Sequence, residues 1–280
     1  MQNKTILITG ATNGIGYESA LTLANMGATI VFGARNIEKA QNVKMQIIKE
    51  TGNKNISFII ADFTSLKEVK KFADEFKKEF SKLDILINNV GAMSAKREIT
   101  RDGFELCWGL NHLSYFLLTQ ELLSLLEKSG TESEKSRIIN VASMAHKRAT
   151  INFDDLHSEK DFRKWQAYGQ SKLANIMFTY ALARRLKNKN ITTNCLHPGV
   201  VATGFILNIG FFEKLLSPII NRFLISAKKG AQTTIYLASS KEVKNISGKY
   251  FDKCKIKTSS ILSNNEEEQE KLWEISKKQI

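Results

Sequence analysis

Apolar residues along the chain fall into two alternating patterns. Short β-branched runs occur at 5–9, 29–32, 56–60, 85–88, 137–141, 192–196 and 249–251. Between them lie longer segments with 3.6-residue periodicity, such as 15–26, 66–80 and 168–186. Runs such as Ile6-Leu7-Ile8 and Ile85-Leu86-Ile87 are apolar on both faces. Strands acquire that pattern when helices cover both sides of a parallel sheet. The repeated strand-then-helix order predicts an α/β fold, a single doubly wound parallel sheet with helices on both faces. All of 1–280 reads as one domain. Residues 204–227 break the alternation with Phe205-Ile206-Leu207, Phe211-Phe212 and Phe223-Leu224-Ile225, interrupted by Glu213, Lys214 and Arg222. An insertion just beyond a strand's carboxyl end sits where ligands bind. It predicts a helical lid over an apolar pocket or an amphipathic surface resting on lipid. An ordinary packed helix pair is the competing reading.

The composition narrows the class. The 280 residues are 42% hydrophobic and 25% charged, which excludes disordered, collagen-like and disulfide-stapled chains. Cys107, Cys195 and Cys254 are odd in number and widely spaced, against a disulfide framework or a zinc site. A reducing cytoplasm suits them. His112, His146, His157 and His197 lack metal-ligand spacing and read as structural, so no metal is expected. No signal peptide or run of 18 apolar residues is found. The net charge of +13 comes from scattered lysines, which read as a solvated surface rather than a nucleic-acid site.

The chemistry begins after the first strand, at Thr9-Gly10-Ala11-Thr12-Asn13-Gly14-Ile15-Gly16. A strand entering a glycine turn that opens a helix is the context of a dinucleotide loop. Gly10 permits the tight turn, Gly14 clears space for a pyrophosphate and Gly16 lets the helix pack closely. The helix N-terminus then offers N–H groups to phosphates. The second strand ends in Ala34-Arg35-Asn36, where a carboxylate would bind a ribose 2′-hydroxyl. Arg35 pairs instead with a 2′-phosphate, which predicts NADP(H) over NAD(H). A plain surface charge is the alternative. Asp62, before Phe63, could accept from an adenine amino group or cap the next helix. Asn88-Asn89-Val90-Gly91 ends the fourth strand, with asparagines able to tie strands together and Gly91 able to bend against a cofactor.

Tyr168 and Lys172 stand four apart on a predicted helix and share a face. A neighbouring ammonium lowers a phenol's pKa, which makes an acid–base group for a carbonyl or alcohol. Ser143, just past the fifth strand, could hold a substrate oxygen. No Gly-x-Ser-x-Gly elbow surrounds it, against a hydrolase nucleophile. Asn111 falls on a predicted long helix, where an asparagine is mildly disfavoured. His197-Pro198-Gly199 stops the sixth strand and bends the chain around a ligand.

Together these pieces resemble the short-chain dehydrogenase/reductase family over nearly the whole chain, with its Rossmann fold. The resemblance rests on 9–16, 88–91, Asn111, Ser143, Tyr168 with Lys172, and Pro198-Gly199 followed by Thr203. It implies that Tyr168 donates or accepts the proton. By the same resemblance Lys172 binds the nicotinamide ribose, Ser143 orients the carbonyl and Asn111 holds a relay water. Cofactor contacts are implied for Gly10, Thr12, Asn13, Gly14, Ile15, Gly16, Arg35, Asn36, Asp62, Phe63, Asn89, Val90, Gly91, Pro198, Gly199, Val201 and Thr203. Within the family the chain is similar to the retinol dehydrogenase and WW-domain oxidoreductase-like branch. That likeness rests on Gly33-Ala34-Arg35-Asn36, Leu110-Asn111-His112-Leu113, Ser247-Gly248-Lys249-Tyr250-Phe251 and Leu272-Trp273-Glu274. It implies a lipophilic alcohol, aldehyde or ketone substrate, and a homodimer through the helices around 111–126 and 168–186. Val90 departs from the family's usual alanine, and the amino-terminal membrane anchor of several relatives has no counterpart at the start of this sequence. A cytoplasmic carbonyl reductase, peripheral to lipid through 204–227, is the expectation. The rivals are a nucleotide-binding redox sensor without turnover, a protochlorophyllide reductase-like enzyme and a sugar epimerase.

Overall fold

The computed structural model describes residues 1–200 and 224–280. Its centre is one eight-stranded sheet in the order β3-β2-β1-β4-β5-β6-β7-β8. The strands are β1 (Thr5–Thr9), β2 (Thr29–Ala34), β3 (Ile56–Ile60), β4 (Ile85–Asn88), β5 (Ser136–Val141), β6 (Ile191–His197), β7 (Tyr250–Asp252) and β8 (Lys255–Lys257). All neighbours pair in parallel except β7 and β8. The antiparallel β8 is an addition to the expected all-parallel sheet; its short exposed Lys-Ile-Lys carries no buried face to betray it. The rest is the doubly wound arrangement that the doubly apolar strands require. The chain winds outward from β1 in one direction to β3 and from β4 in the other, which opens a crevice between β1 and β4 at their carboxyl ends.

Alternation along β1 divides the core. Ile6 and Ile8 face helices α1 (Gly14–Asn25), α2 (Ile37–Thr51) and α6 (Ala227–Ser239), and pack with Leu23, Ile47 and Leu237. Leu7 faces α3 (Leu66–Glu79), α4 (Ser114–Ser129) and α5 (Lys164–Arg185), and packs with Phe72, Phe76 and Phe116. One buried charge ties the far layer to the sheet. Arg137 Nη1 on β5 donates to the carbonyls of Leu237, Ala238 and Ser240 at 2.9, 3.1 and 3.0 Å. A cation at a helix C-terminus satisfies carbonyls that have no partner within the helix.

The last helix, α7 (Glu266–Gln279), lies across α4 and α5. Trp273 meets Phe116 edge-on at 4.9 Å and stacks with Phe178 at 5.8 Å, and the Arg185 guanidinium sits 3.8 Å over its ring. Glu270 accepts from both Arg184 and Arg185, and the Arg185 hydrogen bond foremost holds its carboxyl down to about 2. The face expected to serve a homodimer is therefore partly covered by the chain's own C-terminal helix.

The segment before α4 departs from a plain helix. Cys107–Leu113 is a π-helix, and the Ser114 N–H reaches back five residues to the Gly109 carbonyl. Buried Glu105 closes its entrance by accepting from Trp108 N at 2.9 Å. Wide turns of this kind are uncommon and gather at functional sites.

Candidate active site

The carboxyl edge of the sheet opens into a cavity of about 1160 Å³. Gly10 to Gly16 form one wall. Gly10 takes φ +69° and Gly14 φ +57°, left-handed conformations that side chains rarely adopt. Gly16 is required by contact rather than by torsion. A Cβ there would lie 2.3 Å from the Gly10 carbonyl and 2.7 Å from Asn89 Nδ2. Its role is close packing against the loop itself. Asn89 in turn holds the loop, donating from Nδ2 to the Thr9 and Gly10 carbonyls at 2.8 and 3.0 Å. Asn88 ties β4 to its neighbours through Thr119 and Asn140. No side chain caps the first turn of α1 and no acid lies in it, so its N–H groups face the cavity without competition. These features fit a dinucleotide's pyrophosphate.

Along the same cavity, Thr12, Asn13, Ile15 and Phe63 lie on the loop side with Arg35. Arg35 is exposed and makes no ion pair or hydrogen bond among the described residues. Val90, Gly91, Pro198 and Gly199 continue the wall to Ser143, Tyr168 and Lys172. The Tyr168 phenol is hydrogen-bonded to Ser143. Lys172 Nζ donates to the Val141 carbonyl at 2.9 Å and stands 5.8 Å from the Tyr168 ring centre. A Cβ on Gly91 would come within 3.5 Å of that amine and 3.1 Å of Asn111 Oδ1. Gly91 thus keeps φ negative and serves by leaving space.

Electrostatics among the site's own residues depart from expectation. Burial pushes the Tyr168 phenol above its usual value, and the Ser143 hydrogen bond only partly opposes this. Burial also brings the Lys172 ammonium down to about 8. The lysine does not offset this rise, because with its own value brought down to about 8 the amine is neutral before the phenol titrates.

Three expected residues stand off the wall. Asn36 Oδ1 accepts from Lys39 N at 2.8 Å and caps α2. Asp62 Oδ1 accepts from Thr64 N and Thr64 Oγ1 in the turn before α3, whose N-cap is Ser65, so Asp62 does not cap that helix. Asn111 is fully buried behind Gly91. Its amide donates to the Ala92 carbonyl and Ser171 Oγ, both at 3.0 Å, and accepts from Ala92 N at 2.8 Å. Val201, Thr203 and most of the 204–227 insertion lie outside the described residues. Lys147, Arg148, Trp165, Gln166 and His197 line the cavity without having been expected there. Only His197 carried a signal, its place at a strand end before Pro-Gly. It accepts from Met144 N at 3.2 Å through Nδ1 and so orients the turn after Ser143.

A family model for short chain dehydrogenases matches residues 4–210. The chain belongs to the short-chain dehydrogenase family. It is 41% identical to human retinol dehydrogenase 14 over 99% of this chain and 86% of that protein. It is 40% identical to human retinol dehydrogenase 13, covering 96% and 82%. Among solved structures it resembles an uncharacterised protein from Mycobacterium paratuberculosis (TM-score 0.79, 30% identity, 99% and 93% covered). It also resembles the NADP active-site complex of Pseudomonas aeruginosa RhlG (TM-score 0.72, 25% identity, 90% and 94% covered). This member of the family is a retinol dehydrogenase-like oxidoreductase that transfers hydride between a nicotinamide cofactor and an alcohol or carbonyl.

Proposed function

We propose that the protein is an NADP(H)-dependent reductase of lipophilic aldehydes and ketones, interconverting them with their alcohols. The observation that carries this reading is the convergence of Ser143, Tyr168 and Lys172 on a cavity also lined by Arg35, which has no ion pair among the described residues. Arg35 takes the 2′-phosphate in a bidentate pair, where β2 offers Ala34 in place of a carboxylate. Gly10–Gly16 receives the pyrophosphate at the N-terminus of α1. Lys172 holds the nicotinamide ribose beside Gly91. A bound nicotinamide dinucleotide supplies the hydride for reduction and accepts it for oxidation.

Tyr168 gives its phenolic proton to the substrate oxygen while Ser143 orients that oxygen. The same phenol donates its proton in reduction and takes it back in oxidation. Asn111 holds a water that returns a proton past Lys172. Met93, Met144, Trp165 and Val200 give the substrate end of the cavity its apolar surface. The insertion 204–227 acts as a lid over that end. Its described end supports this, since Ile225 N donates to the Val200 carbonyl at 2.9 Å on the cavity wall. Free cysteines suit a reducing cytoplasm, and the related retinol dehydrogenases suggest substrates that partition into lipid.

The test is an NADPH-oxidation screen over retinal, medium-chain aldehydes, aromatic ketones and quinones. Tyr168→Phe is expected to lose turnover by about 10²-fold or more while keeping NADPH affinity; retained turnover would remove Tyr168 from the chemistry. Arg35→Ala is expected to raise the KM for NADPH by about tenfold or more and to leave that for NADH nearly unchanged. Equal effects on the two nucleotides would overturn the NADP(H) assignment.

A further inference from the structure

Two residues flanking Asn111 in the π-helix are tied to the far end of the chain. Trp108 Nε1 donates to Gln279 Oε1 at 2.9 Å. His112 Nε2 lies 2.8 Å from Ser276 Oγ, with both side chains fully buried. Anchoring of α7 does not depend on these polar contacts, because Trp273 and Glu270 already dock it on α4 and α5. What they add is direction: each reaches from α7 into the turn that carries Asn111.

The proton positions in this network follow from its donors. Burial takes His112 down to about 4, so the ring is neutral and has one N–H. Asn175 Nδ2 donates to the Asn111 carbonyl at 2.8 Å, which turns Asn175 Oδ1 toward His112 Nδ1 at 3.3 Å. An acceptor at that place requires the proton on Nδ1. His112 Nε2 is then an acceptor, and Ser276 is the donor that faces it. The Ser276 hydroxyl also stands 2.8 Å from the Leu272 carbonyl, a weaker claim on its single proton because that carbonyl is a helix carbonyl one turn back. The chain of bonds therefore runs from Ser276 through His112 and Asn175 to the Asn111 backbone.

We infer that Ser276 is a positioning residue for the reaction: through His112 and Asn175 it sets the Asn111 turn against Gly91 and Lys172, and the C-terminal helix is thereby part of the active-site scaffold. Gln279, through Trp108, braces the same turn from its other side. The role rests on the reading of Asn111 as holder of the relay water.

The experiment compares Ser276→Ala, Gln279→Leu and Asn111→Leu with the parent enzyme, using NADPH and the best aldehyde of the screen. Ser276→Ala is expected to lower kcat by about five- to tenfold, the worth of one buried hydrogen bond. The substrate KM and the NADPH Kd should stay unchanged, and the solvent deuterium isotope effect on kcat should rise as the relay slows. A stabilising role alone would move Tm and the folded fraction, not this split. Should Ser276→Ala fail to fold, half-buried Gln279 gives the same test through Trp108, with a smaller fall in kcat expected. Unchanged kcat in the folded variants, or a loss matched by the loss of folded protein, overturns the inference. An impaired Asn111→Leu beside a silent Ser276→Ala removes the role of Ser276 alone. A silent Asn111→Leu removes the relay reading and this role together.

Discussion

Lys172 is an ammonium with 3% of its surface exposed, and it donates a hydrogen bond to the Val141 carbonyl. In the folded protein burial lowers its pKa from 10.5 to about 8. The unfolded chain holds that proton more tightly, so between those two values stability rises with pH, and below about 8 the full cost of the buried charge is present. A displacement of this size corresponds to about 3 kcal/mol, offset by about 1 kcal/mol for the bond to Val141. Lys172→Met is therefore expected to be about 1–3 kcal/mol more stable than the parent at pH 7, while losing turnover. The advantage should shrink toward pH 10, where the parent's amine is already neutral. Denaturant unfolding at the two pH values measures both quantities. A variant less stable at pH 7 would mean that packing around the side chain outweighs desolvation of its charge. The site thus keeps a destabilising group, which is intelligible if the cation is needed when a ribose and a developing phenolate are beside it.

At the level of elements, legibility followed the physics of each segment. The strands declared themselves because a doubly covered sheet demands apolar residues on both faces, and β1, β3 and β4 begin and end where their β-branched runs do. The glycine loop was readable because Gly10 and Gly14 answer to backbone torsion, a requirement that few other residues meet. Gly16 was found for an incomplete reason: besides the Gly10 carbonyl in its own loop it must clear Asn89, more than seventy residues away, which spacing cannot reveal. The π-helix at 107–113 was invisible for a related reason. Periodicity over 111–126 reads as ordinary helix, and the widened turn is set by Glu105 and by contacts from α5 and α7 rather than by its own sequence. Asp62 and Asn36 illustrate the converse case. Both have short polar side chains that bond nearby backbone after a strand: Asn36 caps α2, and Asp62 closes the turn before α3.

Over the whole molecule the +13 charge gains a specific meaning at the cavity. Arg35, Lys147, Arg148 and Lys172 line it, and no Asp or Glu is among its described lining residues. Residues 201–223 hold a single acid, Glu213, against Lys214 and Arg222, so their composition does not reverse the balance. A concave wall of one sign concentrates oppositely charged ligands, and salt weakens that effect over a distance that shrinks to a few ångströms near 1 M. NADPH carries one phosphate more than NADH, and the additional charge should meet Arg35 at the exposed rim, where screening acts fully. The KM for NADPH is therefore expected to rise by roughly tenfold between about 20 mM and about 500 mM salt, and that for NADH by clearly less. In Arg35→Ala the two salt profiles should converge, because the difference between the nucleotides lies at that side chain. Parallel profiles in the parent enzyme would show instead that the basic surface acts on the pyrophosphate alone, leaving Arg35 a solvated charge and the choice of nucleotide to some other contact.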